Sequence, residues 1–319
     1  MLCSRVMPAV PDPANESARR VRALVIGASG LVGGAFLSVL RERGHDVAGT
    51  HGSRPRPGLV PFDFKQHLNL ESLVSDRQLV VLASALTHVD YCESHPDEAR
   101  ARNVDDVRRV AEACRDAGAA LLSFSSDYVF DGAAGPYAED APVRPLSVYG
   151  KTKLAGEEVL AALPRTLVIR ITNAFDVGYD DRNFVHRCVT HLRERKPLVV
   201  PSDQWATPCY ATWLARQAVT LLERGAILAP DSPRPLHAGC DDLVSRGELA
   251  RRVARQLGAD PGIIEERPTA ALAQPAPRPL RGGLRNDRWK RLLGVERLPL
   301  DDALADCLPR MKELYAGTH

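Results

Sequence analysis

Apolar runs of strand length alternate with helically spaced apolar positions over the first half of the chain. Ala23-Leu24-Val25-Ile26 is an unbroken apolar run of the buried-strand type. Behind it Leu31, Phe36, Leu37 and Leu40 recur at helical spacing until Gly44 ends the pattern. Asp46-Val47-Ala48-Gly49-Thr50 reads as the second strand and residues 78–85 as the fourth. Residues 97–117 are predicted helical, with Gly118 as their stop. Ala119-Ala120-Leu121-Leu122-Ser123-Phe124 is the fifth strand. A helix over 148–163 precedes the sixth, Leu167-Val168-Ile169-Arg170-Ile171. Strands that alternate with helices imply an α/β fold with a doubly wound parallel sheet.

Past the sixth strand the alternation breaks. Residues 183–184 and 203–208 read as loops flanking a helix, 210–224 as a helix, and 229–235 and 268–281 as proline-rich connections. Ser245-Arg246-Gly247-Glu248 fits a capping box that opens a helix ending near Gly258. Residues 302–314 are amphipathic except for Pro309, which is expected to end or kink that helix.

Composition narrows the setting. With 45% hydrophobic and 26% charged residues the chain is an ordinary globular one, and a net charge of +2 gives no reason to expect a nucleic-acid partner. The seven cysteines are scattered, without a C-x-x-C pair, so free thiols in a reducing cytoplasm are expected. Residues 1–20 lack the apolar core of a secretory signal and read as a disordered leader, or as a start codon placed too early, with Met7 a second candidate. Residues 23–40 are uncharged for 18 positions, but their four glycines and strand-turn-helix pattern argue against a membrane span. His186 and His191 are five apart and off one helical face, so no metal site is expected. The three tryptophans (205, 213 and 289) default to packing.

The chemistry starts where the first strand meets Gly27-Ala28-Ser29-Gly30-Leu31-Val32-Gly33. A strand, a G-x-x-G-x-x-G turn and a helix make a dinucleotide fingerprint: the backbone turns tightly, and the helix N-terminus offers N–H groups to a pyrophosphate. Gly27, Ser29, Gly30, Leu31, Val32 and Gly33 are therefore candidate cofactor contacts. The second strand ends without the carboxylate that would hold a ribose 2′-hydroxyl, while Ser53 and Arg54 suit a 2′-phosphate. NADPH is expected over NADH. Asp63 and Phe64 lie where an adenine pocket would be. Ala83, Ser84 and Ala85, small residues at a strand end, let a cofactor lie over the sheet, and Asn103 is a further candidate contact.

Tyr149 and Lys153 are four apart, hence stacked on one helical face. An ammonium beside a phenol is expected to lower the tyrosine pKa from about 10. Ser126, at the end of the fifth strand, would bond the same substrate oxygen. The trio Ser126, Tyr149 and Lys153 is what carbonyl reduction needs. Residues 21–172 are thus expected to form a Rossmann-type NAD(P) domain with a return segment near 208–240. Residues 173–207 and 241–319 would form a smaller substrate lobe.

Together these segments resemble the extended short-chain dehydrogenase/reductases, and more narrowly the dTDP-4-dehydrorhamnose reductase family. The most specific stretches are Ser125-Ser126-Asp127-Tyr128-Val129-Phe130-Asp131-Gly132, Tyr137 with Glu139, and Pro145-Leu146-Ser147-Val148-Tyr149-Gly150-Lys151-Thr152-Lys153. The resemblance implies NADPH-dependent reduction of a keto group, at C4, on a nucleotide-linked deoxysugar. It makes Tyr149 the proton donor and Lys153 the holder of the nicotinamide ribose. Thr87, Asp127, Tyr128, Asn173, Phe184, Gln204, Trp205 and Arg278 are the candidate substrate contacts. Two departures stand out. Arg170-Ile171-Thr172-Asn173-Ala174 stands where the family often has Arg-Thr-Ser-Trp, and Arg281-Gly282-Gly283 stands where it often has a serine shortly after Arg-Pro. The family also contains a non-catalytic member, the regulatory β subunit of methionine adenosyltransferase, so regulatory binding is one alternative. Sugar-nucleotide epimerase or dehydratase chemistry is another. A homodimer is left open.

Overall fold

The computed structural model describes residues 20–66, 70–177, 183–228 and 235–316. Residues 1–19 of the leader and 229–234 of the proline-rich loop lie outside the described residues. Seven strands form one sheet: β1 (Arg22–Ile26), β2 (Asp46–His51), β3 (Val60–Pro61), β4 (Leu79–Leu82), β5 (Ala120–Ser126), β6 (Thr166–Ile171) and β7 (Leu236–His237). Their order is β7-β6-β5-β4-β1-β2-β3, and every neighbouring pair is parallel. The chain runs outward from β1 to β3, then returns to place β4 on the other side of β1. The crevice at the carboxyl ends of β1 and β4 is therefore the topological switch point, where such sheets bind ligands.

Uninterrupted apolar strands are needed because helices cover both faces. On one face α1 (Leu31–Glu42) and α5 (Ala211–Glu223) bury Phe36, Leu40, Leu214 and Ala218 against Val25, Leu122 and Ile169. On the other, α2 (Asp106–Asp116) and α3 (Val148–Ala161) bury Val107, Val110 and Leu160 against Leu24, Val80 and Leu121. Each such aliphatic side chain contributes about 1.5–3 kcal/mol of burial. A second core joins α4 (Phe184–Glu194), α6 (Arg246–Leu257) and α7 (Leu300–Ala316) through Val185, Cys188, Leu249, Val253, Leu304 and Met311.

Several sequence expectations are refined. The helix before β5 runs from Pro96 to Asp116 but contains a π turn over Ala101–Asp105. The return segment does rejoin the sheet, as α5 and β7. Trp289, Leu293 and Leu298, expected in the second lobe, bury instead in the sheet-side core, where Trp289 Nε1 donates to Gln217 Oε1 at 2.7 Å. Pro309 does not end α7, which continues to Ala316. Buried Leu304, Leu308 and Met311 pin both sides of the proline to the second core, and that packing outweighs one lost helical hydrogen bond.

Candidate active site

The turn after β1 is fixed from three directions. Gly27 has φ +85°, and a Cβ there would lie 2.8 Å from the Ser84 backbone nitrogen. A Cβ on Gly33 would lie 2.2 Å from the Gly27 carbonyl oxygen, so α1 sits against the turn as only glycine allows. Thr50, buried at the end of β2, accepts a hydrogen bond from the Gly27 N–H at 3.2 Å. Helix α1 is capped by Gly30, which gives no side-chain bond, and its first turn carries no acidic residue. No side chain there competes with a pyrophosphate for the first-turn N–H groups. Ser53 and Arg54 are exposed beyond the end of β2. Asp63 is also exposed and accepts from the Lys65 N–H at 2.9 Å, while Phe62 and Phe64 pack edge to face at 4.8 Å. Ala83, Ser84, Ala85 and Thr87 follow β4 as an open, irregular ledge, with Ala85 and Thr87 exposed.

Ser126 ends β5, and α3 brings Tyr149 and Lys153 against it. Ser147 caps α3 through the Gly150 N–H at 3.2 Å, and Glu93 accepts from the Val148 N–H at 2.9 Å. These bonds fix the helix start that carries Tyr149. The Ser126 side chain neighbours the Tyr149 hydroxyl, and its own hydroxyl donates to Asp127 Oδ1 at 3.1 Å. The Tyr149 ring meets Tyr128 edge to face at 5.3 Å. Lys153 is buried and its Nζ donates to the Phe124 carbonyl at 2.7 Å. Burial lowers its pKa to about 8, against the opposing pull of Glu157.

One expectation needs correction here. Helical spacing predicts that the Lys153 charge lowers the Tyr149 pKa. Burial of the phenol dominates instead and pushes it up, with the Ser126 hydrogen bond opposing that rise. Tyr149 therefore stays protonated at neutral pH. Asn103 also differs from its expected role as a cofactor contact. Its amide nitrogen donates to the Leu86 carbonyl and to Thr152 Oγ1, both at 3.1 Å, and its oxygen accepts from the Leu86 N–H at 2.9 Å. Both amide hydrogens are committed, so Asn103, in the π turn, ties the ledge after β4 to the helix of Tyr149.

The second lobe faces this trio with buried charge. Arg246, at the start of α6, stands over the Phe184 ring at 4.7 Å, and Arg187 over the same ring at 5.2 Å. Burial and the neighbouring Arg187 both lower the Arg246 pKa. Arg187 Nε and Arg278 Nη1 are buried without a hydrogen-bond partner among the described residues. Arg278 reaches across the chain to Asp90 Oδ2 at 2.6 Å, which joins the second half to the helix Val89–Ser94. Phe184, a candidate substrate contact, is thus a platform for two guanidinium groups.

The other predicted substrate residues separate into two kinds. Gln204 is held inside the lobe by Thr269 at 3.0 Å and Gln274 at 2.9 Å, whereas Trp205 is 39% exposed. Asp127 is buried, its pKa raised by that burial, and it accepts from the Gly283 N–H at 3.3 Å. A Cβ on Gly282 would lie 2.6 Å from Asp127 Oδ2, which explains the glycines at that departure from the family pattern. Asn173 adopts φ +45° just past Thr172, whose side chain opposes the rise of the Asp127 pKa. Sequence reasoning missed Arg187 and Arg246. The spacing of Phe184 and Arg187, three apart on a helix, was the available signal for one of them.

Among the described residues there is no group of three or more His, Cys, Asp or Glu that could hold a metal ion. No helix among them is long and apolar enough to cross a membrane.

The RmlD substrate binding domain family model matches residues 21–313. A dTDP-4-dehydrorhamnose reductase from Streptomyces griseus is 38% identical over 285 residues, covering 88% of this chain and 90% of the relative. A probable dTDP-4,6-dihydroxy-2-methyloxan-3-one 4-ketoreductase from Streptomyces antibioticus is 34% identical over 308 residues, covering 94% and 97%. The crystal structure of a hypothetical dTDP-4-dehydrorhamnose reductase from Sulfolobus tokodaii superposes with a TM-score of 0.77 at 28% identity, over 88% of this chain and 98% of that one. With a family match that spans nearly the whole chain and relatives above 30% identity over most of it, this chain belongs to the RmlD substrate binding domain family.

Proposed function

We propose that this protein reduces the C4 keto group of a dTDP-linked deoxysugar with NADPH. The observation that carries this reading is the buried Ser126–Tyr149 pair, with Lys153 one turn along, at the carboxyl end of a parallel sheet in a chain of this family. The turn at residues 27–33 and the N-terminus of α1 would hold the pyrophosphate. Ser53 and Arg54 would meet the 2′-phosphate, and the ledge of Ala83, Ser84 and Ala85 would support the nicotinamide half. Bound NADPH supplies a hydride. Tyr149 is protonated at neutral pH, the state in which it gives its hydroxyl proton to the oxygen of the reduced carbonyl. Ser126 orients that oxygen, and the Lys153 ammonium offsets the charge that Tyr149 gains. The division into a cofactor domain and a substrate lobe follows the two hydrophobic cores, with residues 287–298 packing on the cofactor side. Buried thiols without a disulfide among the described residues fit a cytoplasmic setting.

Arg187, Arg246 and Arg278 supply the substrate anchor. Two guanidinium groups over one ring repel, and an orphaned buried donor is costly. A diphosphate relieves both. Binding energy from that remote group then positions the sugar for reduction. The test compares a dTDP-4-keto-6-deoxy sugar with the same sugar lacking its nucleotide, in the presence of NADPH. Reduction of the nucleotide-linked sugar alone is expected. Comparable kcat/KM for both removes the anchor, and no NADPH consumption with any keto-sugar nucleotide removes the reductase reading.

A further inference from the structure

A buried polar stack runs down α3 behind Tyr149. Tyr149, Lys153 and Glu157 recur at intervals of four, so they share one helical face. Glu157 is gripped by both arms of one guanidinium: Arg170 Nε donates to its Oε1 at 2.9 Å and Nη2 to its Oε2 at 2.6 Å. Two-pronged pairing of this kind fixes geometry as well as charge. Arg170 is on β6, the register partner of Ser125, and its side chain is 4% exposed. It is held in turn from behind. Its Nη1 lies 3.3 Å from His237 Nε2, and its guanidinium stands over the Phe130 ring at 5.2 Å. Burial and Arg170 keep His237 neutral, with its pKa near about 3. Its Nδ1 lies 3.2 Å from the Tyr137 carbonyl, so the Nδ1–H tautomer donates there and Nε2 accepts from Arg170.

Lys153 needs such a neighbour. Its Nζ bonds a neutral carbonyl, and among the described residues no carboxylate lies within ion-pair distance of it. A buried ammonium without a counter-charge is strongly disfavoured. The titratable groups that act on it are Glu157 on its own helix and Cys92 from the helix Val89–Ser94, with Tyr149 one turn back on α3; Asp127 acts on Tyr149, and Arg170 from β6 pairs with Glu157. Burial pushes the Cys92 thiol up to about 11 and raises the Asp127 pKa. Glu157 is the carboxylate whose charge favours the ammonium of Lys153.

We propose that Glu157, clamped by Arg170, is a positioning residue of this site: its fixed carboxylate is the counter-charge that keeps the Lys153 ammonium seated on the Phe124 carbonyl beside Tyr149. The proposal rests on the reductase reading for its kinetic readout, and NADPH binding supplies a second readout that does not require turnover. The experiment records kcat/KM and NADPH affinity against pH for the wild type, Glu157→Gln, Glu157→Asp and Arg170→Lys, with a thermal melt of each. In Glu157→Gln the alkaline limb of both profiles moves to lower pH by about 1 unit. Glu157→Asp keeps the charge at greater reach and moves it by a smaller step, which also serves if the Gln variant does not fold. Arg170→Lys lowers the melting temperature while the limb stays near its wild-type position. Limbs at the wild-type pH in both Glu157 variants, with only the melts changed, would make Glu157 structural and overturn the proposal. A wild type that binds NADPH but reduces no keto-sugar nucleotide overturns the reductase reading alone, and the binding limb then decides. Absence of NADPH binding overturns both.

Discussion

Replacing Arg246 by methionine separates what the arginine does for the substrate from what it does for the fold. In the free protein Arg246 stands 4.7 Å above the Phe184 ring, and Arg187 shares that ring at 5.2 Å. The cation–π contact is worth about 0.5–2 kcal/mol. Against it stands the cost of a partly buried guanidinium beside a like charge. Methionine keeps the apolar contact with Phe184 and removes the charge, so the free variant should melt at or above the wild-type temperature. The substrate loses a charge-assisted hydrogen bond to its diphosphate, about 1.5–3 kcal/mol, or roughly 10–150-fold in kcat/KM. The assay pairs a thermal melt of the ligand-free protein with steady-state kinetics on a dTDP-4-keto-6-deoxy sugar, and with the affinity of dTDP itself. The affinity of dTDP should fall with kcat/KM. A variant that melts well below wild type but binds dTDP equally well would show that Arg246 serves the lobe's packing, and the diphosphate assignment would be wrong.

Other outcomes follow from the same geometry. Tyr149→Phe removes the proton donor and should cost roughly 10²–10⁴-fold in kcat with NADPH affinity preserved; wild-type turnover would refute the role. Arg54→Ala should reduce the preference for NADPH over NADH by roughly 10–150-fold in cofactor titrations, whereas an unchanged ratio would leave Arg54 without that part. Lys153 is protonated below its pKa of about 8 and loses its charge above it, so kcat/KM should fall as pH rises through about 8. A profile flat to pH ~10 would mean that the ammonium is not needed, or is far better stabilised than its burial implies.

Local patterns were legible in the sequence, and long-range meetings were not. The strand before Gly27, the helix after it and the Tyr149–Lys153 spacing are set within a few residues, and all appear where the pattern puts them. Ser245 caps α6 through the Glu248 N–H at 3.1 Å, as its capping-box signature implies. The Arg278–Asp90 pair, by contrast, joins residues 188 positions apart, and nothing local marks it. Arg246 reads as an ordinary helix-start arginine until α4 places Phe184 under it. Trp289 reads as part of the second lobe until Gln217 on α5 receives its indole N–H. Pro309 failed as a helix stop because burial in the second core outweighs the local preference. The expected lowering of the Tyr149 pKa also failed for a tertiary reason: desolvation depends on what covers the ring, and helical spacing does not report that.

The central claim is that a hydride from NADPH reaches the sugar's C4 while Tyr149 protonates its oxygen. It is tested most directly with NADPH deuterated at the transferable position of its nicotinamide, a dTDP-4-keto-6-deoxy sugar and the wild-type protein, with the product read by NMR and mass spectrometry. One deuterium bound to C4 of the product sugar, with stoichiometric NADP⁺ and greatly slowed incorporation by Tyr149→Phe, is the predicted result. Unchanged NADPH, or deuterium at any other carbon, would contradict it.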